Sequence, residues 1–171
     1  MTYLVRKYSR GKWPKEDFDK CPVEALRADA ITSCLRTTND TLSTWEIESL
    51  ENVEDAVLAL VSGFDKLATV DVLIFSINEV EKRGFKVELT PGDTPIEELK
   101  NTHMDITGLT YKTVGEFSRL MLDTMNVDGR TMRFTVKKLK TLFQEAIDKG
   151  KVDVTLLKER LRLEVTENKA S

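Results

Sequence analysis

Histidine and cysteine are scarce in this 171-residue sequence: His103 is the one imidazole, and Cys21 and Cys34 are the two thiols. A zinc site of three or four soft ligands is thereby nearly excluded. Two lone cysteines at no metal-ligand spacing fit buried free thiols in a reducing compartment better than a disulfide framework. Glycine-rich phosphate loops of the types G-x-x-x-x-G-K-[ST] and G-x-G-x-x-G are absent, as is the G-x-S-x-G turn of serine hydrolases. No run approaches the roughly 20 apolar residues that span a bilayer. The opening residues, MTYLVRKYSRGKW, hold no apolar segment of signal-peptide length. These gaps point to a cytoplasmic chain with no membrane segment and no cofactor. The 29 acidic residues leave room only for a magnesium site built of carboxylates.

What is present is an ordinary globular composition, 40% hydrophobic and 32% charged, in a length that suits one sizeable domain. The stretch from Asn52 to Leu89 organises it. Val53, Ala56, Val57, Leu60, Val61 and Phe64 follow the spacing of a buried helical stripe, with Asn52 placed to cap the helix and Gly63 to end it. The run Val70–Phe75, interrupted only by Asp71, reads as a central strand buried on both faces. Val57, Leu60, Val61, Val72, Ile74 and Phe75 are the expected core. Ser76 and Glu79 form an S-x-x-E capping box that opens a short helix ending at Gly84.

Around that centre, residues 2–8 read as a first strand and residues 22–29 as a short helix. ITSCLRT and LSTWEI read as the arms of a hairpin turning at Thr38, Asn39 and Asp40, and FKVEL as another strand. TPGDTP is a breaker cluster, after which Thr94 and Glu97 restart a helix; THMDITGLT fits a loop or an edge strand. Helices follow over residues 111–125, 136–149 and 154–165, with Thr135 and Asp153 as caps, and a polar tail closes the sequence. The expected architecture is α+β: a mixed sheet with one αβ crossover over residues 1–106, then a three-helix subdomain over 107–171.

Charge is distributed unevenly. Residues 1–15 carry Arg6, Lys7, Arg10, Lys12 and Lys15 with no acid; Thr37 to Asp65 carries seven acids with no Lys or Arg. Arg130, Arg133, Lys137, Lys138 and Lys140 form a second basic patch. Nucleic acid could be held by the N-terminal Tyr3, Tyr8 and Trp13 among their cations, or phosphates by Arg130, Arg133, Lys137 and Lys138. A net charge of −3 argues against a dedicated nucleic-acid binder. Acids at a helix start are favoured by the helix dipole, which accounts for Glu54 and Asp55 but not for Asp40, Glu46, Glu48 and Glu51. Those four, with Trp45 among them, suit docking of a basic protein. In the last helix Leu156 and Leu163 form a second apolar face, a contact for another chain or another copy of this one. The expected function is therefore a non-catalytic interaction module such as an immunity protein, an antitoxin or a subunit of a defence complex. The alternative is a small enzyme or nucleic-acid-handling factor using His103 as a base oriented by Asp105, with Asp71 as a second perturbed carboxylate.

Overall fold

Alternation along the central strand decides the layering. Val72 and Ile74 point to one side and Leu73 and Phe75 to the other, and all four are fully buried, so both faces of the sheet must be covered. In the computed structural model of the chain, which describes residues 2–14 and 21–166, helices lie on both faces. The six strands are β1 (Tyr3–Tyr8), β2 (Leu42–Ile47), β3 (Val70–Ser76), β4 (Lys86–Leu89), β5 (His103–Thr107) and β6 (Thr131–Phe134). They form one sheet in the order β4-β5-β2-β1-β3-β6, with every neighbouring pair antiparallel.

The expected α+β class holds, while the mixed sheet is replaced by an antiparallel one. The reason is β1. It lies between β2 and β3 and pairs with both, Val5 opposite Trp45 on one side and Ile74 on the other. The αβ crossover from β2 through α2 (Val53–Ser62) to β3 therefore joins two parallel strands that never touch, a split unit. In α2 the buried positions are Val53, Ala56, Val57, Leu58, Ala59, Val61 and Ser62. Leu60, expected inside, is only half-buried, and Leu58 takes its place in the core.

One face of the sheet packs Val5, Trp45, Val72, Ile74 and Phe134 against α2, α5 (Val136–Asp148) and α6 (Glu159–Thr166). The other packs Leu4, Leu73, Phe75 and Ile106 against α1 (Ala28–Cys34), α3 (Ile77–Lys82) and α4 (Val114–Met125). The C-terminal helices are thus divided between the two faces. Residue 106 falls inside β5, and β6 joins the sheet between α4 and α5.

Local signals held at several ends. Thr135 Oγ1 accepts the Lys138 amide at the start of α5, and Asp153 Oδ1 accepts the Thr155 amide at 2.9 Å. At α3 the Glu79 carboxylate accepts the Ser76 amide at 3.3 Å. The expected hairpin did not form. ITSCLRT contributes most of α1, because Ala30 and Cys34, one turn apart, are the residues buried against the sheet. The turn itself is real: Asn39 and Asp40 have φ of 53° and 59°, and the Thr41 amide donates to the Thr38 carbonyl at 3.1 Å. It leads into β2, whose hydrogen-bonded partners are β1 and β5. THMDIT is an interior strand, since β4 covers its outer edge. The expected last helix is broken into a 3₁₀ turn at Val154–Leu156 and α6, with Leu157 extended between them. Lys15 and the polar tail beyond Thr166 lie outside the described residues.

Candidate functional site

The acidic segment is neutralised in part by the fold. Glu54 pairs with Lys138 at 3.2 Å, Asp55 with Lys151 at 3.5 Å, and Asp65 with Lys158 at 2.8 Å. Each pair ties α2 or the turn after it to the C-terminal part of the chain, Lys138 on α5 and Lys151 and Lys158 in the segments between α5 and α6. Asp40, Glu46, Glu48 and Glu51 have no ion pair among the described residues. They do not form one strip, however. Asp40 sits in the tight turn before β2 and Glu48 lies beyond the strand's far end, about 20 Å away at the usual rise per residue. A left-handed backbone, which Asn and Asp tolerate better than most residues, accounts for Asp40.

Glu46 and Glu48 gather at one corner. They line a cleft of about 210 Å³ with Ile47 between them, Asn52 and Asp55 from the start of α2, and Leu99 and Thr102 from the 3₁₀ segment Glu97–Thr102. Glu46 is half-buried and Glu48 and Glu51 are exposed. Strand alternation brings this about: Ile47 and Trp45 go inward to the α2 side of the sheet, and Glu46 turns away from them. Trp45 is therefore no part of the acidic surface. Only 6% exposed, it stands edge-on to the His103 ring with centroids 5.0 Å apart.

His103 and Asp105 lie two apart on β5 and do share a face, but a third residue connects them. Thr90, just past β4, has its Oγ1 2.8 Å from His103 Nδ1 and donates to Asp105 Oδ2 at 3.1 Å. With its one proton on Asp105, the hydroxyl is left to accept from His103 Nδ1–H. Asp105 Oδ1 is buried with no hydrogen-bond partner. Nothing in the sequence marks Thr90 as their neighbour, since it is 13 positions from His103 and only strand pairing unites them. Gly92 closes over the group, its backbone so near Trp45 and His103 that a Cβ would stand within 3 Å of both. Neither His103 nor Asp105 lines the acidic cleft.

The cations are mostly engaged. Arg130 is buried, donates to the Ile74 carbonyl at 3.1 Å and lies over the Tyr3 ring at 4.5 Å. Arg133 grips Asp71 with two hydrogen bonds, at 2.8 and 2.9 Å, across the β3–β6 pair, which settles Asp71 as a cross-strand partner. Lys138 pairs with Glu54 and lies over Phe134. Lys137 is exposed and lines a groove beside α5 that reaches Val165. Arg6 donates to the Cys34 and Ser43 carbonyls, and burial lowers its guanidinium to about 10 against the opposing influence of Cys34 and Asp105. Tyr8 and Trp13 are largely buried, bordering a single cleft, and Tyr3 lies under Arg130, so the three rings form no exposed row on which successive bases could stack.

Leu156 is 61% exposed and Leu163 49%, but they belong to different elements because of the break at Leu157. Among the described residues no helix is long and apolar enough to cross a membrane, and no group of three or more His, Cys, Asp or Glu side chains is placed to hold a metal ion. No family model matches the chain, and no curated protein or solved structure matches it at a significant level.

Proposed function

We propose that this protein is a non-catalytic interaction module that docks a basic partner protein at the corner formed by Glu46, Glu48 and Glu51, as an immunity protein, an antitoxin or a subunit of a defence or regulatory complex does. The observation that carries this reading is the unequal neutralisation of the acidic segment. Its second half is matched lysine by lysine, while Glu46 and Glu48 line a cleft with their charges unanswered. A narrow cleft walled by carboxylates, with Leu99 and Ile47 beside them, suits the aliphatic stem and charged head of a lysine or arginine. Asp40, Trp45, Leu156 and Leu163 are not needed for it.

Fixed like charges steer an oppositely charged partner and lose that influence as salt screens them, over a length falling from about 10 Å at 0.1 M to about 3 Å at 1 M. The test is capture of the partner from the native host, followed by association rates at several salt concentrations. Glu46→Lys/Glu48→Lys should slow association at least about tenfold and flatten its salt dependence. Glu48→Lys alone, at the exposed position, should leave the thermal midpoint nearly unchanged, since exposed charges change stability by less than about 0.5 kcal/mol. Any shift of the double variant should come from the half-buried Glu46. Unchanged association rates would reject the reading.

The Thr90 bridge favours one second reading, in which His103 acts as a base oriented through Thr90 by Asp105. Under the interaction reading, His103→Asn leaves biological activity intact. Complete loss of activity in a folded His103→Asn protein would put the enzyme reading first.

A further inference from the structure

A separate cleft of about 520 Å³ opens at the other end of the sheet, on the α4 side. That volume is within the range of small-molecule sites. Tyr8 at the end of β1 and Arg133 on β6 belong to one cross-strand row, with Asp71 between them. Trp13, Arg10, Thr131 and Met125 complete the lining. The charges do not cancel: Asp71 occupies the guanidinium of Arg133, whereas Arg10, exposed at the rim, has no ion pair among the described residues. Among the described residues one cation is left over, beside the small parts of the Trp13 indole and the Met125 thioether that reach the cleft.

We infer that this cleft binds a small monoanion with a flat apolar body, an aromatic monocarboxylate, whose charge is held by Arg10 and the Tyr8 hydroxyl and whose ring lies against Trp13 and Met125. The Tyr8 hydroxyl makes no hydrogen bond to any described residue. Burial, as the largest influence, raises its pKa above 10, so the phenol keeps its proton at neutral pH and is a donor there. Thr131 offers a second hydroxyl at the same wall. A dianion would be undercompensated by one free guanidinium, and a neutral ring would leave it unanswered. This site is independent of the acidic corner.

The probe is benzoate, followed by ¹H–¹⁵N spectra of the full chain. There are two tryptophans, and the Trp13 indole N–H, which donates to Cys34 Sγ at 3.2 Å, reports on the cleft. Trp45 packs on the opposite face of the sheet and serves as the internal control. Benzoate should shift the Trp13 indole signal saturably, with a dissociation constant of order 1 mM for so small a ligand, and leave that of Trp45 in place. Benzyl alcohol, of equal size without the charge, and acetate, with the charge but no ring, should each bind at least about tenfold more weakly. Arg10→Gln, a change at an exposed position that the dispersion of the same spectrum checks for folding, should weaken benzoate about tenfold. No saturable shift by about 20 mM benzoate, equal binding of either control, or undiminished binding to folded Arg10→Gln would overturn the inference.

Discussion

Gly92 shows how a single backbone position holds the β5 side of the molecule together. A Cβ there would lie 2.6 Å from Trp45 Cη2 and 2.9 Å from His103 Cβ, closer than real contacts allow. Both neighbours are buried and cannot swing away. Gly92→Ala should therefore lower stability by about 1–3 kcal/mol, the usual cost of overpacking, read as a reduced urea midpoint with an unchanged slope. In the sequence Gly92 is legible only as one member of the breaker cluster TPGDTP, since the chain does not announce which ring its backbone will touch. Trp45 teaches the same lesson. Alternation along LSTWEI is plain to read, yet it says only that Trp45 and Glu46 face opposite ways, and β1 and α2 decide which way is inward. The pair His103 and Asp105 was visible as a motif, while Thr90, which joins them, becomes a neighbour only through the β4–β5 register.

At the scale of elements, α2 gives the sharpest contrast. Its sequence is apolar nearly all round, so its existence was plain but its rotation was not. The structure turns Leu58 inward, 2% exposed, and leaves Leu60 half-buried. Leu58→Ala should cost about 2–5 kcal/mol, with Leu60→Ala distinctly less, as chemical denaturation of the two variants will measure. Equal losses would place the helix in a different rotation. Helices with polar outer faces, α4 and α5, were easier to read because their periodicity is unambiguous. β6 is illegible in the sequence for the opposite reason. Four residues, Thr131–Phe134, with a charge at their centre carry too little alternation to stand out, and Asp71 on β3 is what makes Arg133 welcome there. In α1, the isoleucine and threonine of ITSCLRT suggest a strand, and burial of Ala30 and Cys34 overrides that preference.

For the whole molecule, the separated charges of the sequence turn out to be partners in space, and this has a consequence in acid. Asp65 is held below its ordinary value of 3.8, first by the hydrogen bond from Lys158 and then by the charge of that lysine. Asp153 is lowered as well, through its bonds from Thr155. A depressed carboxylate stabilises the fold fully above its unfolded pKa, and that contribution is lost as pH falls through the lower folded value. Urea midpoints should thus fall between about pH 5 and about pH 2, and Asp65→Asn should show a smaller fall than the wild type over the same window. Both groups are exposed, so the effect is a modest one. The order of the strands has a further consequence, in time. β1 ends at Tyr8, but its second partner, β3, is complete only at Ser76, about 70 residues later. At translation rates of about 5–20 residues per second, a strand carrying Leu4 and Val5 waits roughly 4–14 seconds for its second neighbour. Arg6, Lys7, Arg10 and Lys12 surround it through that interval, and clustered like charges of this kind keep an unpaired apolar strand from pairing with another nascent chain.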